Sequence, residues 1–141
     1  MVDKVLFASS TKEWETPQSL FDWADAEWGP FMLDAAASEG NQKCSTYYDE
    51  ETDSLSEDWF PFKRVWLNPP YGKDIDKWVR KAYTESQLGC RVVVLLPART
   101  DTAWFHTWVY GQAELRFLRG RLKFGGAKNS APFPSMIAIY G

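Results

Sequence analysis

The segment that most constrains the fold is an apolar run near the middle of the chain, residues 91–96. After Arg91 it continues as Val-Val-Val-Leu-Leu, without alternation of polar and apolar residues. A strand with one face in water alternates, so this pattern predicts a central strand that is covered on both faces. Helical patterns at residues 17–28 and 74–87 alternate along the chain with shorter strand patterns. The alternation predicts an α/β fold with a mostly parallel central sheet.

Local signals predict where the other elements begin and end. We expect Thr16 to cap the first helix and Pro17 to be its first residue. Asp101 is expected to cap a short helix that is rich in aromatic residues. The carboxyl-terminal strands are expected to form an antiparallel hairpin. The remaining strand patterns lie at residues 31–34, 46–48, 65–67, 114–118, 121–124 and 135–140.

Composition bounds the class of protein. With 141 residues the chain fits a single domain, residues 1–141, and we expect no separate target-recognition domain. We expect a cytoplasmic protein, because the sequence has neither a membrane-spanning apolar run nor a secretion signal. Cys44 and Cys90 are far apart, which predicts reduced thiols. His106 is the only histidine, which argues against a His-rich metal site.

Charge is distributed unevenly, although the net charge is only −3. Residues 1–62 contain 14 acidic and 3 basic residues, whereas residues 63–141 contain 5 acidic and 13 basic residues. This asymmetry indicates two kinds of partner, a cationic cofactor for the acidic part and a polyanion for the basic part. The alternative is that solvated charges have segregated without functional meaning.

The most informative motif is Asn68-Pro69-Pro70-Tyr71, which follows the strand pattern at residues 65–67. Neither proline has a backbone N–H, and both have φ near −65°. The Asn68 side-chain oxygen and the Pro69 carbonyl can therefore both point outward as acceptors, beside the flat ring of Tyr71. The motif predicts a pocket for a planar NH2 group. The alternative is a Pro-Pro turn that only ends a strand.

Polar or proline residues stand at the ends of three predicted strands, at Asp34, Asn68 and Pro97. In open α/β sheets, ligands bind at the carboxyl ends of the strands. We therefore expect these three strand ends to form one ligand-binding rim.

Several longer stretches match one known family in a single order. They are Trp-Glu-Thr-Pro-Gln at residues 14–18, Leu-Asp-Ala-Ala-Ala at 33–37, Asn-Pro-Pro-Tyr-Gly at 68–72, Leu-Leu-Pro-Ala-Arg-Thr-Asp at 95–101 and Gly-Arg-Leu-Lys-Phe at 120–124, with shorter matches at 41–44, 53–55, 59 and 78–82. With these stretches, the chain from about residue 12 resembles the phage-type, Dam-like DNA N6-adenine methyltransferases. An Asn/Asp-Pro-Pro-Tyr/Phe motif is typical of methyltransferases that act on an amino or amide nitrogen.

The resemblance implies a Rossmann-like methyltransferase fold, S-adenosyl-L-methionine as methyl donor, and no metal. The residues that it places around this cofactor are Thr16, Pro17, Asp34, Ala36, Asp53, Leu55 and Asn68. The Asp53 carboxylate would accept the exocyclic amine of the cofactor's adenine, and the Leu55 side chain would pack on that ring. The alternatives are a helix N-cap for Asp34 and a loop cap for Asp53. The usual glycine-rich turn is replaced by Ala-Ala-Ala at residues 35–37.

The resemblance also implies that the substrate is adenine in DNA, which we expect to be double-stranded. A base inside a duplex is out of reach and has to be flipped out. The catalytic residues would be Asn68, Pro69, Pro70 and Tyr71, with two oxygens accepting the amino hydrogens and the tyrosine ring stacking on the base. Positioning and electrostatics would accelerate transfer without a covalent intermediate.

A basic stretch near the carboxyl terminus predicts contacts with phosphates. The substrate-binding residues expected beside Tyr71 are Phe124, Arg119, Arg121 and Lys123. Phe124 is either a second ring against the flipped base or a core residue. Target recognition is expected from short loops. The alternative functions are a methyltransferase for RNA or a protein glutamine, and a catalytically inactive nucleic-acid-binding module.

Overall fold

The computed structural model describes residues 14–38 and 40–141 of the chain. Within them a five-stranded sheet has the strand order β1-β2-β3-β5-β4. The α-helices are α1 (Gln18–Trp28) and α2 (Ile75–Gln87), and the strands are β1 (Leu33–Asp34), β2 (Arg64–Leu67), β3 (Arg91–Pro97), β4 (Glu114–Phe117) and β5 (Ser135–Tyr140). Two 3-10 turns cover Ser54–Ser56 and Phe60–Phe62, and a π-helical turn covers Phe105–Val109. None of the helices in these ranges is both long and apolar enough to cross a membrane.

The sheet is mixed. β1 pairs with β2 and β2 with β3 in parallel, whereas β5 lies between β3 and β4 and runs antiparallel to both. The antiparallel pair predicted at the carboxyl terminus is present as β4 and β5, but β5 also pairs antiparallel with β3, so parallel pairing is limited to β1, β2 and β3. An apolar strand pattern indicates burial but not direction, because neighbours on both faces bury it equally in either orientation.

Strand β3 separates two hydrophobic cores. Val92, Val94 and Leu96 belong to the core that α2 covers, and Val93 and Leu95 belong to the core that α1 covers. All five side chains are fully buried. Burial of each is worth roughly 1.5–3 kcal/mol relative to exposure. The prediction of a central strand covered on both faces is confirmed.

The first helix begins one residue later than predicted. Pro17 has ψ of 134°, which is extended, so it occupies the N-cap position and makes no side-chain capping bond. Thr16 is therefore not the cap. Its Oγ1 atom instead accepts a hydrogen bond from Nδ2 of Asn68, 52 residues later in the chain. The end of the helix is where it was predicted, at Trp28 before Gly29.

Three other predictions from local signals are wrong. The Thr102 hydroxyl, not Asp101, accepts the hydrogen bond from the backbone N–H that opens the π-helical turn, at 3.3 Å. Residues 121–124 are irregular rather than a strand. Residues 46–48 form only an isolated parallel bridge to Asp34.

Candidate active site

A cleft lies at the carboxyl ends of β1 and β2. Parallel pairing of these strands brings Asp34, the last residue of β1, beside the loop that follows β2. The predicted site residues that line the cleft are Thr16, Asp34, Ala36, Asn68, Pro69, Pro70 and Tyr71. The fold therefore brings the whole Asn-Pro-Pro-Tyr motif together with three of the predicted cofactor residues. Pro97, which was also expected on this rim, is not among the described residues that line it.

The side-chain amide of Asn68 has one end bonded and one end free. Its Nδ2 atom donates to the backbone oxygen of Trp14 at 2.7 Å and to Oγ1 of Thr16 at 3.0 Å. Its Oδ1 atom is shielded from solvent and has no hydrogen-bond partner among the described residues. Buried polar side-chain atoms are nearly always bonded. The motif therefore presents an unpaired hydrogen-bond acceptor.

The ring of Tyr71 is held from two sides. Its hydroxyl donates to the backbone oxygen of Leu95 at 3.0 Å, and burial raises the pKa of this phenol well above its ordinary value of 10. Phe133 and Phe124 pack edge-on against the ring, with centroids 5.7 Å and 6.3 Å away. The phenol thus stays protonated near neutral pH, and the ring has a defined orientation.

Asp34 is a buried carboxylate beside the motif, with 3% of its surface exposed. The backbone N–H of Lys43 donates to Oδ2 at 2.9 Å, and the N–H of Ala36 donates to Oδ1 at 3.3 Å. Burial raises the pKa of Asp34 to about 6, and these N–H bonds oppose that rise. Asp34 is therefore charged above this pH and can accept a hydrogen bond from a ligand.

Five further residues line the cleft and were not predicted as site residues: Trp14, Glu15, Asn41, Lys43 and Trp66. Four of them lie in stretches that match the family, which is the signal that could have identified them. Trp66 belongs to β2 and gave no such signal. Segment 14–16 is anchored on its far side, because the N–H of Gly125 donates to the backbone oxygen of Glu15 at 2.8 Å.

Other predicted site residues lie outside the cleft lining. Asp53 has φ of 55° and makes no side-chain capping bond to the backbone; its carboxylate accepts a hydrogen bond from the Ser56 hydroxyl at 2.8 Å. Leu55 follows in the same 3-10 turn. Phe124 is 1% exposed and packs edge-on against Trp14. Its burial fits the alternative in which this ring belongs to the core.

A second, more open groove lies between α1 and the segment before Phe124. It is lined by Pro17, Ser19, Leu20, Trp23, Leu118, Arg121, Leu122 and Lys123. Trp23 is 41% exposed, and Arg121, Lys123 and the neighbouring Arg119 are exposed as well. None of these three cations forms an ion pair within residues 14–38 and 40–141. The groove thus combines apolar surface with exposed positive charge.

Neither thiol is prepared for nucleophilic chemistry. Burial raises the pKa of both Cys44 and Cys90 to about 12. A thiol with such a pKa is protonated near neutral pH and reacts poorly. Across the described part of the chain, no group of three or more His, Cys, Asp or Glu residues could hold a metal ion.

Ligands of open α/β sheets bind at the carboxyl ends of parallel strands, which is the edge where the cleft lies. By fold this is therefore an α/β protein, with a cleft at that edge that presents a hydrogen-bond acceptor. Comparison with known families makes the assignment specific. The chain belongs to the DNA N-6-adenine-methyltransferase (Dam) family, whose model matches residues 5–138.

Two phage proteins illustrate the relationship. The chain is 38% identical over 109 residues to the DNA N-6-adenine-methyltransferase of Escherichia phage T1, covering 77% of this chain and 45% of that protein. It is 32% identical over 107 residues to the DNA N-6-adenine-methyltransferase of Haemophilus phage HP1 (strain HP1c1), covering 74% of this chain and 61% of that protein. The chain thus spans about half the length of these curated relatives.

Proposed function

We propose that this chain is a DNA N6-adenine methyltransferase that uses S-adenosyl-L-methionine. The observation that carries the proposal is the buried Oδ1 atom of Asn68 in the cleft-lining motif, which has no hydrogen-bond partner in residues 14–38 and 40–141. Leaving such an atom unpaired costs about 1–3 kcal/mol. A ligand N–H that reaches this oxygen recovers that free energy, so the site favours a substrate with an amino group. The family match and the two phage relatives support adenine as the base that carries it.

The chemistry of the motif suits an exocyclic amine. Asn68 offers only its oxygen, because Nδ2 is already bonded to the chain. The Pro69 carbonyl is the second acceptor, because neither proline of the motif has a backbone N–H that could donate a hydrogen bond to it in place of the substrate. Two acceptors on the two amino hydrogens draw the nitrogen toward tetrahedral geometry. Its lone pair then leaves the ring conjugation and becomes nucleophilic.

Tyr71 would orient the flipped base. Its hydroxyl bond to Leu95 fixes the ring, and a planar base can lie against a fixed aromatic face. Because Asn68 Oδ1 is shielded from solvent, the cleft has to widen before a base reaches it.

The β1 side of the cleft has the donor and acceptor groups that the cofactor requires. The Asp34 carboxylate can accept hydrogen bonds from the ammonium or hydroxyl groups of the cofactor, and Lys43 can pair with the cofactor's carboxylate. The small side chain of Ala36 allows the cofactor to approach the backbone closely. When bound, this cofactor supplies an activated methyl group on a sulfonium. We keep Pro17, Asp53 and Leu55 as proposed contacts of the cofactor. The parallel strands β1 to β3, with α1 and α2 covering opposite faces, support a Rossmann-like methyltransferase fold.

DNA is the proposed macromolecular partner. Arg119, Arg121 and Lys123 would neutralise phosphates, because their charges are exposed and have no ion-pair partner among the described residues. The groove that contains Arg121 and Lys123 also contains Pro17, next to Thr16 of the cleft. A strand bound along the groove would therefore lead toward the motif.

The test is transfer of a labelled methyl group from S-adenosyl-L-methionine to duplex DNA, single-stranded DNA, RNA and a protein acceptor. We expect label on adenine N6 of DNA, and a loss of at least 100-fold in Asn68→Ala. Gln112→Ala, which changes an exposed side-chain amide outside the cleft, is the matched control and should retain full transfer. A loss below about threefold in Asn68→Ala, under 1 kcal/mol, would contradict the mechanism. Label on RNA or on glutamine would instead support the alternative substrates.

Isothermal titration with S-adenosyl-L-methionine separates an enzyme from an inactive binding module. We expect saturable binding at one site, weakened when Asp34 is changed to Ala. DNA binding without any binding of S-adenosyl-L-methionine would support the inactive module.

A further inference from the structure

The orientation of the Asn68 amide is set by residues that precede α1. Both of its donor contacts are made by segment 14–16, through the Trp14 carbonyl and the Thr16 hydroxyl. We propose that Thr16 is a positioning residue that, together with the Trp14 carbonyl, holds the Asn68 amide with Oδ1 turned toward the substrate. The proposal rests on the function proposed above and assigns to Thr16 a role that differs from direct contact with the cofactor.

A carbonyl oxygen can only accept, so the Trp14 carbonyl decides which end of the amide faces it. If the amide were turned over, Oδ1 of Asn68 would lie about where Nδ2 is now, close to another oxygen, and the two would repel. The terminal torsion of an asparagine side chain is broad and roughly two-fold. The orientation of the amide therefore depends on its partners rather than on the rotamer itself.

Thr16 is free for this role because it does not cap the helix. Pro17 takes the N-cap position, and no side-chain cap bond is formed there. Thr16 is 5% exposed, so water cannot readily replace its hydroxyl as acceptor. The segment is itself held in place, since the Gly125 N–H bonds to the Glu15 carbonyl and the Trp14 ring packs on Phe133 at 5.1 Å.

Valine has the shape of threonine without the hydroxyl, so Thr16→Val removes one acceptor and little volume. One Nδ2 hydrogen of Asn68 is then left buried without a partner, and the amide can sample other orientations. We expect kcat to fall about tenfold, corresponding to 1.36 kcal/mol, while the Kd for S-adenosyl-L-methionine changes less than about twofold. Thr16→Ser keeps the hydroxyl and should restore kcat to within about twofold of the unmodified protein.

The double variant Thr16→Val/Asn68→Ala tests whether Thr16 acts through Asn68. We expect no further loss of kcat beyond that of Asn68→Ala, because the group being positioned is gone. Thr84→Val removes an exposed hydroxyl on α2, away from the cleft, and is the matched control with unchanged kcat. A Thr16→Val loss that appears in the Kd for S-adenosyl-L-methionine would overturn the proposal in favour of cofactor contact. A full additional loss in the double variant, or none in Thr16→Val alone, would overturn it as well.

A second readout does not depend on activity. The side-chain NH2 signals of Asn68 can be assigned in an NMR spectrum by their disappearance in Asn68→Ala. We expect their hydrogen exchange with water to be slow and to accelerate at least tenfold in Thr16→Val, but not in Thr16→Ser. Unchanged exchange would overturn the positioning role even in a protein that transfers methyl groups. Accelerated exchange in a protein that transfers none would support the positioning role and contradict only the proposed function.

Discussion

The Nδ2 atom of Asn68 lies 2.7 Å from the backbone oxygen of Trp14, a residue 54 positions earlier in the chain. This contact ties the motif after β2 to the segment before α1. It also leaves Oδ1 of Asn68 as a buried acceptor without a partner among the described residues. The Asn68 amide is therefore oriented by a backbone carbonyl, which can accept a hydrogen bond but cannot donate one.

The same contact predicts that Asn68→Asp behaves unlike a conservative change. A carboxylate oxygen near the Trp14 carbonyl would be repelled, and both burial and this dipole would raise the pKa of the new group. We expect methyl transfer at pH 8 to fall at least tenfold. Relative to the unmodified protein, transfer should recover as the pH is lowered, because a protonated carboxyl can donate to the carbonyl.

The pH profile of transfer, normalised to the unmodified protein, measures this recovery. Asn68→Ala has no titratable group at this position and should give a flat normalised profile. A flat profile for Asn68→Asp as well would show that the Trp14 carbonyl does not control this side chain.

Asp34 makes stability depend on pH in a defined direction. Burial raises its pKa from 3.8 to about 6, so the folded protein holds this proton more tightly than the unfolded chain. Between about pH 4 and pH 6 the folded state binds more protons, and the contribution of Asp34 to the free energy of unfolding falls as the pH rises. Asp34→Asn lacks this dependence.

Urea unfolding of both proteins at pH 4.5 and pH 7 measures the effect. We expect the stability of Asp34→Asn relative to the unmodified protein to improve by roughly 1–3 kcal/mol between these two pH values. If the relative stability of Asp34→Asn fell between these pH values, the N–H bonds from Lys43 and Ala36 would lower the pKa of Asp34 by more than burial raises it.

Tyr71→Phe separates the hydroxyl from the ring. The variant loses the hydrogen bond to the Leu95 carbonyl and should lower the free energy of unfolding by about 1 kcal/mol. The ring and its stacking face remain, so kcat should stay within about threefold. Tyr71→Ala removes the ring and should lower kcat/KM for DNA by at least 100-fold. If kcat/KM fell equally in Tyr71→Phe and Tyr71→Ala, the contribution of Tyr71 to transfer would come from its hydroxyl and not from its ring.

Glu85 is a buried carboxylate that we expect to affect stability alone. Its Oε1 atom accepts from the backbone N–H groups of Trp59 at 2.6 Å and Phe60 at 2.8 Å, and Oε2 pairs with Lys81 at 3.1 Å. Glu85→Ala leaves those N–H groups unpaired and should reduce the free energy of unfolding by about 3 kcal/mol. Chemical denaturation measures this. Glu85→Gln, which keeps one acceptor oxygen, should lose less, and kcat of the folded fraction should be unchanged in both.

The groove that contains Arg121 and Lys123 predicts how the affinity for DNA depends on salt concentration. Removing the charges in Arg121→Ala/Lys123→Ala should weaken DNA binding and reduce the slope of log affinity against log salt by about 2. Affinity for S-adenosyl-L-methionine should not change. Lys77→Ala removes an exposed lysine of α2 that pairs with Asp74. This variant should leave the slope unchanged. An unchanged slope in the double variant would place the DNA elsewhere on the protein.

Where a structural property depends on a few neighbouring residues, the sequence predicted it well. The apolar run at residues 91–96 indicated a strand covered on both faces, and the pattern at residues 74–87 indicated a helix; both are present. The strand end before Asn68 was also predicted. Local signals were wrong where two nearby residues competed for one role, as at Asp101 and Thr102, because capping depends on the exact backbone turn.

What the sequence alone determined is thus the buried strands, the main helices and the Asn-Pro-Pro-Tyr motif at a strand end, since periodicity and backbone stereochemistry are local. Tertiary contacts alone place β5 between β3 and β4, bury Phe124, and bond Trp14 and Thr16 to Asn68. These depend on contacts between residues far apart in the chain. The direction of the free oxygen of Asn68 is one of them, because an amide has no intrinsic preference for either orientation until its partners are in place.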